Sequence, residues 1–275
     1  METRVLTMVW ALLLFLGVVA AVHWWEYRTS VQEYTFAQPA TLDQRDELRG
    51  VLAEKTPVAV EIGALPWRPE VATKAPWTAQ IDGTLEMSVG AWLAEETRSP
   101  LTNQSALAEQ IDLATGLGDL DAARAWWWLP GLRDSVVDIL PAGGVIGLSW
   151  VGAERQWIGC SHGGPITVWL VHSRYHRYLP APRSSAAAEA EPIDPWSLTV
   201  AEAPWIGRVQ YIEVTVKPGW CLGLPAHWGF ALRAPPEEEA WWWTVSQHSA
   251  LSWTLSNMKN KAPEHTESLS SELEE

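Results

Sequence analysis

Thiol, hydroxyl and imidazole groups crowd into one stretch of this chain, and their spacing defines the chemistry open to it. Cys160-Ser161-His162 sets a thiol beside an imidazole, the pairing from which a nucleophile is built when a base lowers the thiol pKa. The sequence shows neither an oriented base nor a source of that shift. A packed Cys160, or one in a disulfide with Cys221, is the plainer expectation. His172 and His176 are four residues apart, which on a helix would turn both imidazoles toward one metal. They stand in "SRYHRY", which reads as extended structure, so a solvated cationic hairpin of Arg174, His176 and Arg177 is expected there. His227, in "LPAHWGFAL", is either a metal ligand or part of a β-wall. "GLSWVG" around Ser149 lacks the Gly-x-Ser-x-Gly pattern of a nucleophile elbow and gives hydrolase chemistry no support. Trp126–Trp128 and Trp241–Trp243 are two runs that could form carbohydrate- or lipid-facing platforms. The simpler expectation is that alternate rings of each run fill a core and the others cap sheet edges.

The elements that must hold these groups are mostly strands. "VIGLSWVG", "RQWIGC", "PITVWLVHS" and "HRYLPA" are short β-branched and aromatic runs cut by glycine or proline, the texture of an all-β sandwich or barrel. In "VQYIEVTV" residues 209, 211, 213 and 215 oppose 210, 212, 214 and 216, with one buried face. In "KPGWCLGLPAHWGFALR" Pro218-Gly219 suits a tight turn, "WCLGL" a strand that breaks at Pro225, and "HWGFAL" the next strand. Helices are expected at Thr41–Lys55 and Ser105–Leu113, and a short one ending near Leu140. Leu85–Glu96 reads as a mixed strand or short helix, and "ALPWRPEVATKAPWT" as a surface connection.

Charge and hydropathy narrow the setting. A formal charge of −14 with no basic stripe argues against nucleic acid as a partner. Twenty tryptophans favour a β-rich fold near a membrane. Val5 to Val22 carries no charge and approaches the length of a spanning helix, followed by Trp24, Trp25, Tyr27 and Arg28 as an interfacial belt. A cleaved signal peptide, with Val19 and Ala21 at the cleavage site, is the competing reading. Asn103-Gln104-Ser105 is a glycosylation sequon and fits a main domain outside the cytoplasm. The layout expected is an anchor and aromatic belt at 1–28, a β domain at 29–255 with a loop at 181–195, and an acidic tail at 256–275.

Four of these pieces, in order, resemble the cupin-like, Jumonji-type double-stranded β-helix proteins. "TPVAVEIGALPWRPEVATKAPWT" is similar to the entry strand and its proline-tryptophan loop, and "RQWIGC" to the Trp-Ile-Gly strand. "VWLVHSRYHRYLP" is similar to a strand-turn-strand ending in proline, and "VTVKPGWCLGLPAHWGFAL" to the penultimate hairpin. The resemblance, spanning roughly Thr56 to Arg233, implies a mainly β fold: a cupin-like jelly roll with a few flanking helices, here behind one N-terminal transmembrane helix. It also implies Fe(II) and 2-oxoglutarate, held by a His-x-Asp or His-x-Glu pair after the Trp-Ile-Gly strand and by a distal histidine. This chain departs from that pattern. His162 is followed by Gly163 and Gly164, no carboxylate occurs between Glu154 and Glu189, and Phe230 stands where the distal histidine would be. The expectation is therefore a membrane-anchored, catalytically degenerate module that binds a protein partner or itself. The alternatives are an iron and 2-oxoglutarate oxygenase with an atypical ligand set of His162, His172 and His227, and a tryptophan-rich carbohydrate-binding sandwich.

Overall fold

Alternation of side chains along short strands builds this molecule, and cross-strand register explains where its tryptophans go. The computed structural model describes residues 8–11, 13–18, 20–21, 25, 36, 51, 54–81, 85–95, 101–112, 132–180, 193–249 and 252–253. Among the described residues eleven strands are formed: β1 Val58–Glu61, β2 Thr78–Ile81, β3 Leu85–Ser88, β4 Leu132–Leu140, β5 Val145–Trp150, β6 Arg155–Gly163, β7 Ile166–His172, β8 Tyr211–Val216, β9 Trp220–Pro225, β10 Trp228–Arg233 and β11 Ala240–His248. Short helices are α1 Pro69–Ala72, α2 Val89–Leu93 and α3 Ser105–Gln110, with 3-10 turns at Ser173–Tyr178 and Ile206–Arg208.

The strands make a five-stranded sheet in the order β1-β9-β6-β11-β4, a four-stranded sheet β5-β10-β7-β8 and a separate β2-β3 hairpin. All pairings between these strands are antiparallel. From β4 onward the chain enters the large sheet, then the small, large, small, small, large, small and large sheets. That path is the strand order of an eight-stranded jelly roll, with β1 added at one edge. The turn expected at Pro218-Gly219 forms: Trp220 N–H donates to the Lys217 carbonyl at 3.0 Å, and Gly219 has φ +84°, the value that favours glycine at this position.

Three apolar layers result. Between the sheets lie Ile158, Cys160, Val168, Leu170, Leu222, Leu224, Trp228, Phe230, Leu232 and Trp242. The opposite face of the large sheet packs Trp157, Cys221, Trp241, Trp243 and Val245 against Trp67, Ala79, Ile81, Trp92 and Leu107. The outer face of the small sheet packs Trp169, Val171 and Ala231 under Leu179, Val209, Tyr175, Tyr178 and Trp196. Covering both faces of both sheets turns β9, β10 and β11 into nearly continuous buried runs rather than alternating ones.

Glycines make room for the indoles. Gly159 lies opposite Trp243, Gly223 opposite Trp157 and Gly229 opposite Trp150 in register. A Cβ on these glycines would sit 2.1, 2.7 and 2.9 Å from the facing ring. Each of these indoles therefore occupies the space that a side chain on the neighbouring strand would fill.

The hairpin is tied on by side chains. Gln80 N–H donates to Gln104 Oε1 at 2.9 Å, and Gln104 Nε2 returns a bond to the Gln80 carbonyl at 2.8 Å. Gln110 repeats the exchange with Thr78, at 2.9 and 3.3 Å. Gln104 itself bridges to Val137 of β4.

Several sequence expectations change. Residues 132–140, read as part of a short helix ending near Leu140, form strand β4, because Val136, Val137 and Ile139 pack into the sheet rather than along a helical face. The segment 173–178, read as extended, is a 3-10 turn whose second N–H, on Arg174, is capped by His172 Nδ1. The 64–78 connection contains α1 and buries Trp67 completely. Of the span Leu85–Glu96, Leu85–Ser88 is strand and Val89–Leu93 helix, switched by Ser88, whose hydroxyl accepts the Ala91 N–H. Of the predicted span Val5–Val22, residues 8–11, 13–18 and 20–21 are described, helical and exposed. Among the described residues no helix is long and apolar enough to cross a membrane. The expected helix at 41–55 (apart from Val51, Glu54 and Lys55), most of the 181–195 loop, the Trp126–Trp128 run and the tail beyond Trp253 lie outside the described residues.

Candidate functional site

The interior of a jelly roll is where inward-pointing side chains from both sheets could hold a metal or substrate, and here they are apolar. Phe230, the residue expected in place of a distal histidine, points between the sheets and is almost wholly buried. Val168, Leu170, Leu232 and Trp242 fill the space around it. None of these side chains carries a lone pair suited to a metal: the Trp242 indole nitrogen is a donor only, and it finds no acceptor among the described residues.

The candidate histidines are not brought together. His162 lies at the end of β6, opposite Trp241 and edge-on to its ring at 6.0 Å. β7 starts four residues later and carries His172 at its far end, so the length of that strand, roughly 20 Å at ~3.3 Å per residue, separates the two. His172 and His227 are neighbours at that far end. Ser173 N–H donates to the His227 carbonyl at 2.9 Å, and His172 meets Trp228 edge-on at 5.4 Å. The atypical ligand set His162, His172 and His227 is thereby split between the two ends of the barrel. Among the described residues no group of three His, Cys, Asp or Glu side chains could hold a metal ion.

Each histidine has a packing or backbone role. Burial pushes the His172 pKa down, helped by Arg174 and His227, and its Nδ1 accepts the Arg174 N–H at 3.2 Å. His227 adopts φ +69° in the turn that carries the chain from the large sheet to the small one. Its N–H donates to the Val151 carbonyl at 3.3 Å, so the backbone of His227 ties this turn to the residue that follows β5. His176 packs on Trp150 at 5.2 Å. His248, which the sequence reading passed over, is buried on β11 beside Trp253. Burial lowers its pKa, with Asp134 and Glu154 acting the other way.

The thiols do not pair. Cys160 faces the space between the sheets and Cys221 the opposite face of the same sheet, because residues directly across a ladder share a face and Cys221 stands across from Gly159, not Cys160. Both are free. Burial pushes Cys160 up to about 12 and Cys221 higher still, the reverse of what a nucleophile needs. Asn103 of the sequon is exposed, with φ +56°, at the turn into α3. Trp241, Trp242 and Trp243 are all core: the outer two face the helical layer, the middle one the space between the sheets. The expectation that some of them cap sheet edges gives way because both faces of the large sheet are covered.

One titratable group escaped sequence reasoning. Asp138 of β4 is buried, and its carboxylate accepts the Asn103 N–H. Burial raises its pKa to about 7, with that hydrogen bond opposing. Residues 101–104 dock along β4 beside it, through Ile139 N–H to the Leu101 carbonyl and the Gln104–Val137 bridge.

Fold and site together define a mainly β protein of two packed antiparallel sheets with jelly-roll strand order and an apolar interior. No family model matches the chain, and no curated protein matches it. Among solved structures, procruciferin, the 11S globulin from Brassica napus, is similar at 10% identity and a TM-score of 0.26. The match covers 42% of this chain and 20% of that one, an overlap too slight to bear on function.

Proposed function

We propose that this chain is a membrane-tethered jelly-roll domain that serves as a structural or interaction module, its barrel interior given over to packing rather than catalysis. The observation that carries this reading is the set of apolar side chains around Phe230, the residue that stands where the resemblance would place a distal histidine. The separation of His162 from His172 and His227 supports it. The tether rests on the uncharged run Val5–Val22 and on the exposure of its described residues, which include Trp10, Leu14 and Phe15. Apolar side chains on every face of a helix call for lipid or another apolar cover.

Metal analysis of the purified full-length protein tests the first half: iron should stay far below one atom per chain, with no uncoupled 2-oxoglutarate turnover. One retained iron per chain, with turnover that disappears in His227→Ala, overturns the reading. Flotation with phosphatidylcholine vesicles tests the tether, and a chain that stays at the bottom of the gradient removes it.

A further inference from the structure

Outside the N-terminal segment, the large hydrophobic residues exposed among the described residues are five, and three of them lie close together in the chain. They are Leu85 at 56%, Leu132 at 38%, Val200 at 73%, Trp205 at 53% and Tyr211 at 52%. The last three fall within twelve residues of one another, on the outer side of the small sheet. That segment is bonded to the Ser173–Tyr178 turn: Tyr175 Oη donates to Gln210 Oε1 at 2.6 Å, and Arg174 donates to the same oxygen at 3.2 Å.

Cations are gathered on the same side. Arg208 stacks over Trp205 at 4.6 Å and Arg177 over Tyr178 at 4.8 Å, both exposed. A guanidinium held over an aromatic ring keeps N–H donors available for phosphate or carboxylate, though Arg177 spends one on the Tyr178 hydroxyl at 2.8 Å. The two carboxylates of residues 193–208 are turned back onto backbone, Asp194 on Trp196 N–H at 3.0 Å and Glu202 on Thr199 N–H at 3.1 Å, while Glu213 lies exposed on β8 two residues beyond Tyr211. In a chain of formal charge −14, no acidic residue occurs from 155 to 188, the stretch that contributes this turn.

We propose that this face docks on an anionic lipid surface, with Val200 and Trp205 entering the headgroup region and Arg177 and Arg208 binding the phosphate or carboxylate groups around them. The inference rests on the membrane tether proposed above, which would bring the domain within reach of a bilayer. Exposed apolar side chains beside stacked arginines suit an interface that is apolar below and charged above. A soluble anionic protein would use the arginines and leave Val200 and Trp205 in water.

The test uses the full chain carrying Val200→Cys labelled with an environment-sensitive fluorophore, since Cys160 and Cys221 are buried. It is mixed with vesicles of phosphatidylcholine alone, or of phosphatidylcholine with phosphatidylserine. The expected result is a blue shift and a severalfold rise in emission on the serine-containing vesicles only. In the Arg177→Glu/Arg208→Glu variant, affinity for those vesicles measured through this signal should fall by at least about 25-fold, with Arg177→Lys/Arg208→Lys close to the parent. A probe that stays aqueous on anionic vesicles, responds equally to both kinds, or ignores the charge reversal overturns the proposal. Flotation of the same samples separates the two ideas: a chain that floats on phosphatidylcholine but keeps residue 200 in water retains its tether and loses this docking face.

Discussion

Replacing Gly159 by alanine probes the packing logic of the large sheet at its tightest point. The added Cβ would lie 2.1 Å from Cζ2 and 2.3 Å from Cε2 of Trp243, against an optimal carbon–carbon separation of ~3.5–4.0 Å. The ring must retreat by more than an ångström, yet it is fully buried in the layer that holds Trp67, Trp241 and Val245. Overpacking of this kind costs ~1–3 kcal/mol, and a rigid buried indole places Gly159→Ala at about 3 kcal/mol. At ~2–4 °C per kcal/mol for a domain of this size, Tm should fall by about 6–12 °C. Trp243→Phe supplies the control, because it removes the atoms the Cβ meets. It also removes an indole N–H that finds no acceptor among the described residues, which offsets part of the lost apolar area. In the Trp243→Phe background Gly159→Ala should cost under about 1 kcal/mol, a coupling of about 2 kcal/mol by double-mutant cycle. Thermal and urea unfolding followed by far-ultraviolet circular dichroism reads all four proteins. A Gly159→Ala chain within about 0.5 kcal/mol of the parent, or an equal cost in both backgrounds, refutes the reasoning.

Three further outcomes follow from the same structure. The folded-state pKa of Asp138, about 7 against an ordinary 3.8, means the folded protein holds a proton that the unfolded chain releases. Stability should therefore fall as pH rises from about 4 to 7 and level off above, by on the order of 4 kcal/mol, and Asp138→Asn should flatten that slope in urea titrations. Gln104→Ala removes the exchange of hydrogen bonds with Gln80, so the Gln80 amide should lose hydrogen-exchange protection while the amides of β6 and β11 keep theirs. Neither thiol should react with a water-soluble disulfide reagent in the native protein, and both should react at once in denaturant. A mass shift equal to one internal disulfide would contradict the opposite-face placement of Cys160 and Cys221.

Strands that keep one wet face were legible in the sequence. "VQYIEVTV" alternates because Tyr211, Glu213 and Thr215 look outward while Ile212, Val214 and Val216 pack inward. The Pro218-Gly219 turn and the break at Pro225 announced themselves through backbone chemistry that only those residues supply. The faces of "AWWWTV" could not be read, because a strand covered on both sides shows no alternation and all its rings are core. The "SRYHRY" turn was hidden because its cap is His172 Nδ1, an acceptor that sequence patterns for helix starts omit. Strand β4 was masked by neighbouring helix formers. The fate of the histidines depended on which end of which strand each occupies, a property of topology that residue spacing does not carry.

The β2-β3 hairpin meets the jelly roll through apolar packing and the carboxamides of Gln104 and Gln110, not through a strand ladder. A carboxamide presents an acceptor and a donor much as a peptide group does, so each glutamine stands in for one residue of a missing strand. The hairpin is in that sense a graft, and the junction is a seam. A replacement fitted there would have to meet the two glutamines and also cover the large sheet as Ala79 and Ile81 do.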